Sequence, residues 1–395
     1  MEDGSIEDVA GRLRRNETGY SCLDLKMNPG FEARDIRLLS EAVLANQTLK
    51  EVNFFGILGD NDINEETRRL VESFATLPKL ERLQMFGYCE DALATLNHVL
   101  HHRAQTLKDL RITYVHLDGS DDAATHFQQN LQNLTCLEAF NLVDCVFSER
   151  LRDTTLDRTL MGLSKLPNLK QIGIQPLETD ALGCIKTDHL VEVCRLPKLS
   201  YLSIVGLPFP NTFPHLGKMM LALRHTCSIQ ELIFQSSTSD DNCASIAELI
   251  RGAKKLKFMH VRLSAEGEQD ARHIVRIGEA LRENASVKTL TIEYRHSSNS
   301  SIDPTILAEF GDLLDNNYSL ENITFLSNAT PGIQVDPLVS MYLRLNKMGR
   351  GVLLKGGQSK RQQWVEMILE SRDYLDGIFY FLSMNPLLCD VSQPS

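Results

Sequence analysis

The hexapeptide Leu49-Lys50-Glu51-Val52-Asn53-Phe54 carries apolar residues at its first, fourth and sixth positions. After a degenerate first copy at Tyr20/Leu23/Leu25, the same spacing returns at Leu80/Leu83/Met85, Leu107/Leu110/Ile112, Leu137/Phe140/Leu142, Leu169/Ile172/Ile174, Leu199/Leu202/Ile204, Ile229/Leu232/Phe234, Leu256/Met259/Val261, Val287/Leu290/Ile292 and Leu320/Ile323/Phe325. The first positions of the first and last copies are ten intervals and 300 residues apart, which gives a mean period of 30 residues. Eleven copies in phase predict a repeat architecture.

Each repeat reads as a strand followed by a helix. The fourth and sixth positions fall on one face of a strand, because side chains alternate along it. The intervening segments have helical periodicity: 29–46 places Ile36, Leu39, Val43 and Leu44 on one stripe, and 271–284 repeats the pattern. Each unit is therefore expected to contain a strand, a turn, a helix and a return loop.

This pattern resembles the leucine-rich repeat, specifically the ribonuclease-inhibitor-like subclass with long helical repeats, over about residues 6–330. The resemblance implies an α/β fold, a right-handed solenoid (horseshoe) with parallel strands on the concave face and helices on the convex face. The family usually places Asn or Cys three residues after the sixth position. Asn28, Cys145 and Asn328 match, and most other repeats do not, so the repeats are divergent.

The domain organisation is indicated by where the period holds. A capping helix is expected in 1–19, where Ile6, Val9, Ala10 and Leu13 share one face. The solenoid should occupy 20–330 without a linker, in place of the two or three domains that 395 residues would otherwise suggest. After Phe325 the period stops, and apolar helical segments in 331–395 predict a C-terminal cap.

The C-terminal block also resembles a tail of uncharacterised algal (diatom-type) leucine-rich-repeat proteins, through Y-L-R-L-N-K-M-G-R-G, R-x-x-W-V and M-N-P-L-L-C. That resemblance implies no chemistry. Six cations stand out in this block, with no acid between Met341 and Arg361: Arg344, Lys347, Arg350, Lys355, Lys360 and Arg361. This basic patch could meet an acidic partner or phosphate, or form a solvated face paired with nearby acids.

Composition narrows the class of protein. The net charge is −11, which argues against a nucleic-acid partner. The nine cysteines are scattered without a Cys-x-x-Cys pair, as expected of reduced thiols. The acidic start lacks the apolar core of a signal peptide, and no apolar run reaches the roughly 18 residues of a membrane span. We therefore expect no membrane partner and a cytoplasmic location, with the nucleus as the alternative.

Catalytic and metal signals are weak. The sequence contains no phosphate-binding Gly-x-x-x-x-Gly-Lys-Ser/Thr loop, no Gly-x-Ser-x-Gly elbow and no His-Glu-x-x-His. His98-x-x-His101-His102 has helical spacing that could hold a metal, but it is better explained as the polar end of a helix. Asn-x-Ser/Thr sequons such as Asn46, Asn133 and Asn284 fall at helix ends, where the left-handed conformation of asparagine would account for them. We expect no enzyme activity, cofactor or metal.

The remaining candidate for a functional site is the groove on the concave face of the expected solenoid. The third, fifth and seventh positions of each repeat should line it. Its apolar groups fall in two clusters: Phe55 with Phe86, about 5 Å apart if the strands pair, and Tyr201, Ile233 and Phe258 with Val205 beside them. Arg111 and His260 occupy fifth positions. Clustered exposed aromatics are typical of protein interfaces, although return loops or the cap could cover them.

These observations predict a non-enzymatic scaffold or adaptor that binds a protein partner through the concave face. The alternative is a GTPase activator resembling the Ran-activating members of the repeat family, whose acidic tail is replaced here by a basic stretch. A third hypothesis is substrate recognition for a ubiquitin ligase. The residues before Tyr20 contain no F-box-like segment, which argues against it. The oligomeric state cannot be predicted from the sequence.

Overall fold

In a computed structural model, the chain divides into two units, Met1–Gln235 and Ser236–Ser395. The structure describes residues 5–27, 31–56, 61–87, 92–117, 120–147, 152–176, 187–205, 216–226, 228–237, 240–265, 272–296, 314, 316–327, 337–347, 350, 369 and 375–384.

The first unit alternates strands with helices, as the repeat predicts. Its strands are β1 (Cys22–Lys26), β2 (Glu51–Phe55), β3 (Arg82–Phe86), β4 (Asp109–Thr113), the two-residue β5 (His116–Leu117), β6 (Ala139–Phe147), β7 (Gln171–Pro176), β8 (Tyr201–Ile204) and β9 (Glu231–Ser237), which continues past the unit's end. Its helices are α1 (Ile6–Arg14), α2 (Ala33–Leu44), α3 (Asn61–Ser73) with a 3₁₀ turn at Phe74–Thr76, α4 (Ala92–Arg103), α5 (Asp121–Asn133), α6 (Arg152–Leu163), α7 (Thr187–Cys194) and α8 (Leu216–Thr226).

The second unit repeats the alternation and ends in helices. It contains α9 (Asp240–Gly252), β10 (Phe258–Ala265), α10 (Arg272–Glu283), β11 (Thr289–His296), β12 (Asn322–Ser327), α11 (Pro337–Lys347) and α12 (Leu375–Met384). Among the described helices of the chain, none is both long and apolar enough to cross a membrane.

Within each unit the strands pair in parallel and in chain order. In the first unit β1 to β9 are neighbours in sequence order, with β5 set aside against β6. The pairing aligns equal repeat positions: the fourth positions Leu23, Val52, Leu83 and Leu110 stand beside one another in turn. In the second unit Met259 pairs with Leu290 and Leu290 with Ile323. The predicted α/β fold, a leucine-rich-repeat solenoid, is confirmed by this register.

The repeat positions build the core. Leu80, Leu83 and Met85, the first, fourth and sixth residues of one copy, are each at most 1% exposed. Burial of such side chains contributes about 1.5–3 kcal/mol each before conformational entropy is subtracted. The helices cover one face of the sheet with apolar stripes. On α2, Ile36, Leu39 and Val43 are buried as predicted, whereas the prediction for Leu44 was wrong, because that side chain is 51% exposed at the end of the helix.

Helix α1 packs on α2 and buries Val9, Ala10 and Leu13. The helix begins at an extended residue, Ser5, whose hydroxyl accepts a hydrogen bond from the backbone N–H of Asp8. This cap satisfies one of the amides that a helix N-terminus leaves without a partner.

Buried asparagines join consecutive repeats in the second unit. The Asn317 side chain donates to the carbonyls of Leu281 and Asn284, 2.5 and 3.2 Å away, and accepts from the N–H groups of Ser319 and Leu320. Asn284 makes the same kinds of bonds, and Asn346 donates from Nδ2 to the carbonyls of Asn317 and Leu320. We call Asn284, Asn317 and Asn346 the asparagine ladder. The Asn284 and Asn317 amides satisfy backbone groups of two successive loops, and the Asn346 amide nitrogen satisfies two carbonyls of one loop.

The ladder corrects the explanation of the sequons. Asn46, in the first unit, makes the same set of bonds, to the Leu13 carbonyl and from the N–H of Leu49. Neither Asn46 nor Asn284 has a positive φ; within the described residues only Asn16, Tyr114 and Asp144 do so apart from glycines. These asparagines therefore occur at helix ends because their side chains bridge loops. Asn133, by contrast, is exposed.

The prediction of a basic patch was wrong for Arg350. This side chain is fully buried, with its guanidinium 4.7 Å from the ring centroids of both Tyr318 and Tyr342 and a hydrogen bond of 3.4 Å to the Asn317 carbonyl. Arg350 therefore joins the C-terminal block to the last repeat and does not present its charge to solvent, because two aromatic faces enclose it. Arg344 and Lys347 on α11 are exposed. Lys355, Lys360 and Arg361 lie outside the described residues, as do Asn28 and Asn328.

Cys145, which matches the family pattern, contacts the backbone of the preceding repeat. It is fully buried, and its Sγ lies 3.5 Å from the carbonyl oxygens of Ile112 and Val143. Burial raises the pKa of this thiol to about 12. Among the cysteines that the structure describes, Cys22, Cys136, Cys145 and Cys194 are free thiols.

Replacing a ladder asparagine should destabilise the second unit. Asn317→Ala leaves two carbonyls and two N–H groups of the buried loops without their side-chain partner, so we expect the free energy of unfolding to fall by about 2–4 kcal/mol. Asn133→Ala is the matched control, since its exposed side chain should change stability by less than about 0.5 kcal/mol. Equilibrium urea unfolding measures both, and equal midpoints for the two variants would contradict the ladder's role.

Candidate partner-binding surface

The sheet face opposite the helices, which we call the open face, carries the third, fifth and seventh positions of each repeat. On β2 and β3 these side chains are half-buried or exposed, while the alternate residues are buried. Parallel register places equal positions of neighbouring strands side by side. The open face of the first unit is therefore organised in rows that run across the strands.

One row is aromatic. The rings of Phe55 and Phe86 lie 5.5 Å apart between centroids, and those of Phe86 and Tyr114 lie 5.1 Å apart in an edge-to-face contact. We call these three residues the aromatic row. Lys26 stands at its first end, with its ammonium 6.0 Å from the Phe55 ring centroid, within the range of a cation–π interaction. Tyr114 is 50% exposed at the other end.

The prediction from sequence included Phe55 and Phe86 but missed Tyr114. Tyr114 occupies the eighth position, one residue beyond the alternating strand, and has a φ of +55°. The preceding repeat holds Gly87 there, with a φ of +87°, and a Cβ at that position would lie 2.5 Å from the Gly56 carbonyl oxygen. Gly87, Tyr114 and Asp144 occupy the eighth position of three consecutive repeats. The glycine at this position was the sequence signal for a left-handed turn. Bulky residues adopt this left-handed conformation only at a cost.

Asp144 continues the row on the next repeat, also with a positive φ. The Tyr114 hydroxyl interacts with its carboxylate, and hydrogen bonding and then the negative charge of this carboxylate raise the pKa of Tyr114. The Gln175 amide donates to Asp144 Oδ1 from 3.0 Å. Both partners are neutral, so the carboxylate is held in place without being neutralised.

A polar band lies beside the aromatic row at the third and fifth positions. Its charges are mostly paired within the band: Arg82 with Glu51 at 2.6 Å, and the predicted residue Arg111 with Asp109 at 2.9 Å. These side chains line a shallow pocket together with Asn53 and Gln84.

Cys22 lies in the same band, and its surroundings raise the pKa of its thiol. Burial, followed by the charge of Asp24, raises the pKa of its thiol to about 11. The thiol is therefore protonated at neutral pH, and thiolate chemistry is not supported here.

The residues of the second predicted cluster belong to both units. Tyr201 and Ile233 are half-buried in the first unit, where Ser203, between Tyr201 and Val205 in sequence, pairs with Ile233. Val205 is only 3% exposed, so its side chain belongs to the core and not to a contact surface. Phe258 is half-buried in the second unit.

His260, also in the second unit, is held by its surroundings. Its Nε2 lies 3.4 Å from a Glu293 carboxylate oxygen that also contacts Arg262 Nε at 2.7 Å. Burial, and then the charge of Arg262, lowers the pKa of His260. The imidazole is therefore largely neutral at neutral pH.

The histidine cluster on α4 has no metal-binding geometry. His102 Nδ1 lies 2.9 Å from the His98 carbonyl oxygen, and the His98 and His102 ring centroids are 4.6 Å apart on an exposed surface. In the described part of the chain, no group of three or more His, Cys, Asp or Glu residues could hold a metal ion.

No family model and no curated protein matches this sequence. Among solved structures, the complex of Rad7 and Elc1 in yeast matches with a TM-score of 0.43 and 11% identity over 84% of this chain and 87% of that chain. The leiomodin-1 actin-binding site 2 matches with a TM-score of 0.30 and 15% identity over 47% and 96% of the two chains. The complex of TLR13 with ssRNA13 matches with a TM-score of 0.24 and 11% identity over 78% and 55%. The fold assignment therefore rests on the strand register.

Backbone strain at Tyr114 gives a testable consequence. In Tyr114→Gly, relief of the left-handed conformation should offset the loss of the ring contact with Phe86, so stability should stay within about 1 kcal/mol of the parent. Tyr114→Ala loses the ring and keeps the strain, so it should be less stable than the glycine variant by about 1 kcal/mol. Urea unfolding compares the two, and an alanine variant as stable as the glycine variant would count against the strained turn.

Proposed function

We propose that the protein is a non-enzymatic scaffold that binds a protein partner through the open face of its first unit. The observation that carries the proposal is the aromatic row, three neighbouring rings on a sheet face that the described helices do not cover. Aromatic side chains that cluster at a surface are enriched among the residues that dominate binding energy.

The polar band supports the same function. Its paired charges lie directly beside the aromatic row, which gives the surface an apolar centre with a polar border. Protein interfaces commonly have this arrangement, in which the border adds specificity and the aromatic centre adds affinity.

The finer classification is part of the proposal. We assign the repeats to the ribonuclease-inhibitor-like subclass because helices of 8 to 13 residues follow the strands of the first unit. For the motif Y-L-R-L-N-K-M-G-R-G we propose a capping role, since Asn346 and Arg350 donate to the loop around Asn317 and Tyr342 packs against Arg350. The similarity of this tail to algal proteins and a cytoplasmic location stay predictions.

Activation of a small GTPase stays the alternative prediction. It requires acceleration of GTP hydrolysis, which a purified sample tested against candidate GTPases would detect. The scaffold proposal predicts an unchanged hydrolysis rate.

Partner capture should depend on the centre of the aromatic row. Phe86→Ala removes the ring that contacts both neighbours, so we expect partner recovery to fall at least ~10-fold without loss of the folded state. Leu44→Ala is the matched control, because Leu44 is an exposed apolar residue on the helix side. Affinity capture followed by quantitative mass spectrometry, with the melting temperature of each variant, makes the comparison. Recovery of the same proteins by Phe86→Ala and the parent would refute binding through this face.

A further inference from the structure

The Asp144 carboxylate is the one charge at the end of the aromatic row that its described surroundings do not neutralise. Its described neighbours are neutral: the Gln175 amide donates a hydrogen bond to it, and the Tyr114 hydroxyl interacts with it. The neighbouring acids Glu51 and Asp109 each contact an arginine. Within the part of the chain that the structure describes, no lysine or arginine forms an ion pair with Asp144. Its negative charge therefore remains available to a ligand.

The aromatic row supplies a second element of recognition beside that charge. The exposed Tyr114 ring and the Phe86 ring next to it present negative π-faces, which attract cations. At the other end of the row the protein already places a cation, the Lys26 ammonium, near Phe55. The Asp144 end has the same kind of ring and an additional carboxylate, with no cation of its own among the described residues.

We propose that Tyr114, Phe86 and Asp144 form a receptor for an arginine side chain of the partner protein. This inference rests on the proposed function and adds the chemistry of what is bound. A guanidinium can stack on the Tyr114 ring while its planar N–H groups donate to Asp144, the combination in which arginine differs from lysine. A basic partner segment also matches the charge of the chain, which is −11.

The surroundings of Asp144 prepare the site for this ligand. The strand register places Asp144 beside Tyr114, and the Gln175 amide holds the carboxylate there before the ligand arrives. A carboxylate that is already oriented loses less conformational freedom on binding than a free side chain does. The guanidinium then adds charged donors to a carboxylate whose partners within the described residues are uncharged.

The test uses the N-acetyl methylamides of arginine, lysine and citrulline as probes. Each is titrated into the full chain at low ionic strength while the ring signals of ¹³C-labelled tyrosine are followed by NMR, with the Tyr114 signal assigned from Tyr114→Phe. We expect the arginine probe to shift the Tyr114 signal with a dissociation constant in the millimolar range. Lysine should bind at least ~3-fold more weakly, and citrulline, which has the shape of arginine without its charge, should give no saturation.

Asp144→Asn separates charge from structure. Asparagine tolerates a positive φ as aspartate does; its amide oxygen can accept from Gln175 and its amide nitrogen can donate to the Tyr114 hydroxyl, so the variant should fold with an unchanged melting temperature. It should weaken the arginine probe at least ~10-fold. Glu192→Gln, on helix α7, makes the same change in net charge away from the open face and should leave the titration unaltered.

Three results would overturn the inference: equal binding of citrulline and arginine, equal binding by Asp144→Asn and the parent, or no shift of the Tyr114 signal by any probe. They are distinguishable from failure of the proposed function. If capture depends on Phe86 but the arginine probe does not bind, the open face is an interface and the arginine receptor is wrong. If the probe binds as expected but capture is independent of Phe86, the receptor stands and partner capture does not use it.

Discussion

Parallel backbone pairing in a single register is the constraint on which the rest of each unit depends. From the third to the sixth position of the paired strands, it places each residue beside the residue at the same position of the neighbouring repeat, so that a period in the sequence becomes a row in space. The fourth positions Leu23, Val52 and Leu83 form a buried row in this way. By the same register, Phe55 and Phe86 form a row on the opposite face. Core and candidate site are thus two faces of one arrangement.

The two edges of the strands differ in chemistry. Before the strands, buried asparagines such as Asn317 fill the hydrogen-bonding needs of two loops at once, which leaves little room for substitution. After the strands, the eighth position turns left-handed and carries glycine at Gly87, tyrosine at Tyr114 and aspartate at Asp144. The loops that carry a bridging asparagine thus keep one residue type, whereas the eighth positions of three consecutive repeats vary and end the aromatic row in a charge.

Periodicity made the strands and the core predictable from the sequence. The hexapeptide spacing predicted the strands, their register and the close approach of Phe55 and Phe86. It could not predict Tyr114 and Asp144, because their direction depends on a backbone conformation that these residue types rarely adopt. Nor could counting charges show that Arg350 is enclosed by two tyrosine rings, or alternation show that Val205 is buried at a strand's end. These outcomes depend on tertiary contacts.

The central claim is that the aromatic row is accessible on the open face of the folded protein. Hydroxyl-radical footprinting with residue-level mass spectrometry measures this directly. We predict that Tyr114, Phe86 and Phe55 are oxidised well above Phe54 and Phe140, whose side chains are at most 1% exposed. Protection of Tyr114 and Phe86 to the level of Phe140 would contradict the claim, because the row would then be covered and could not receive a partner.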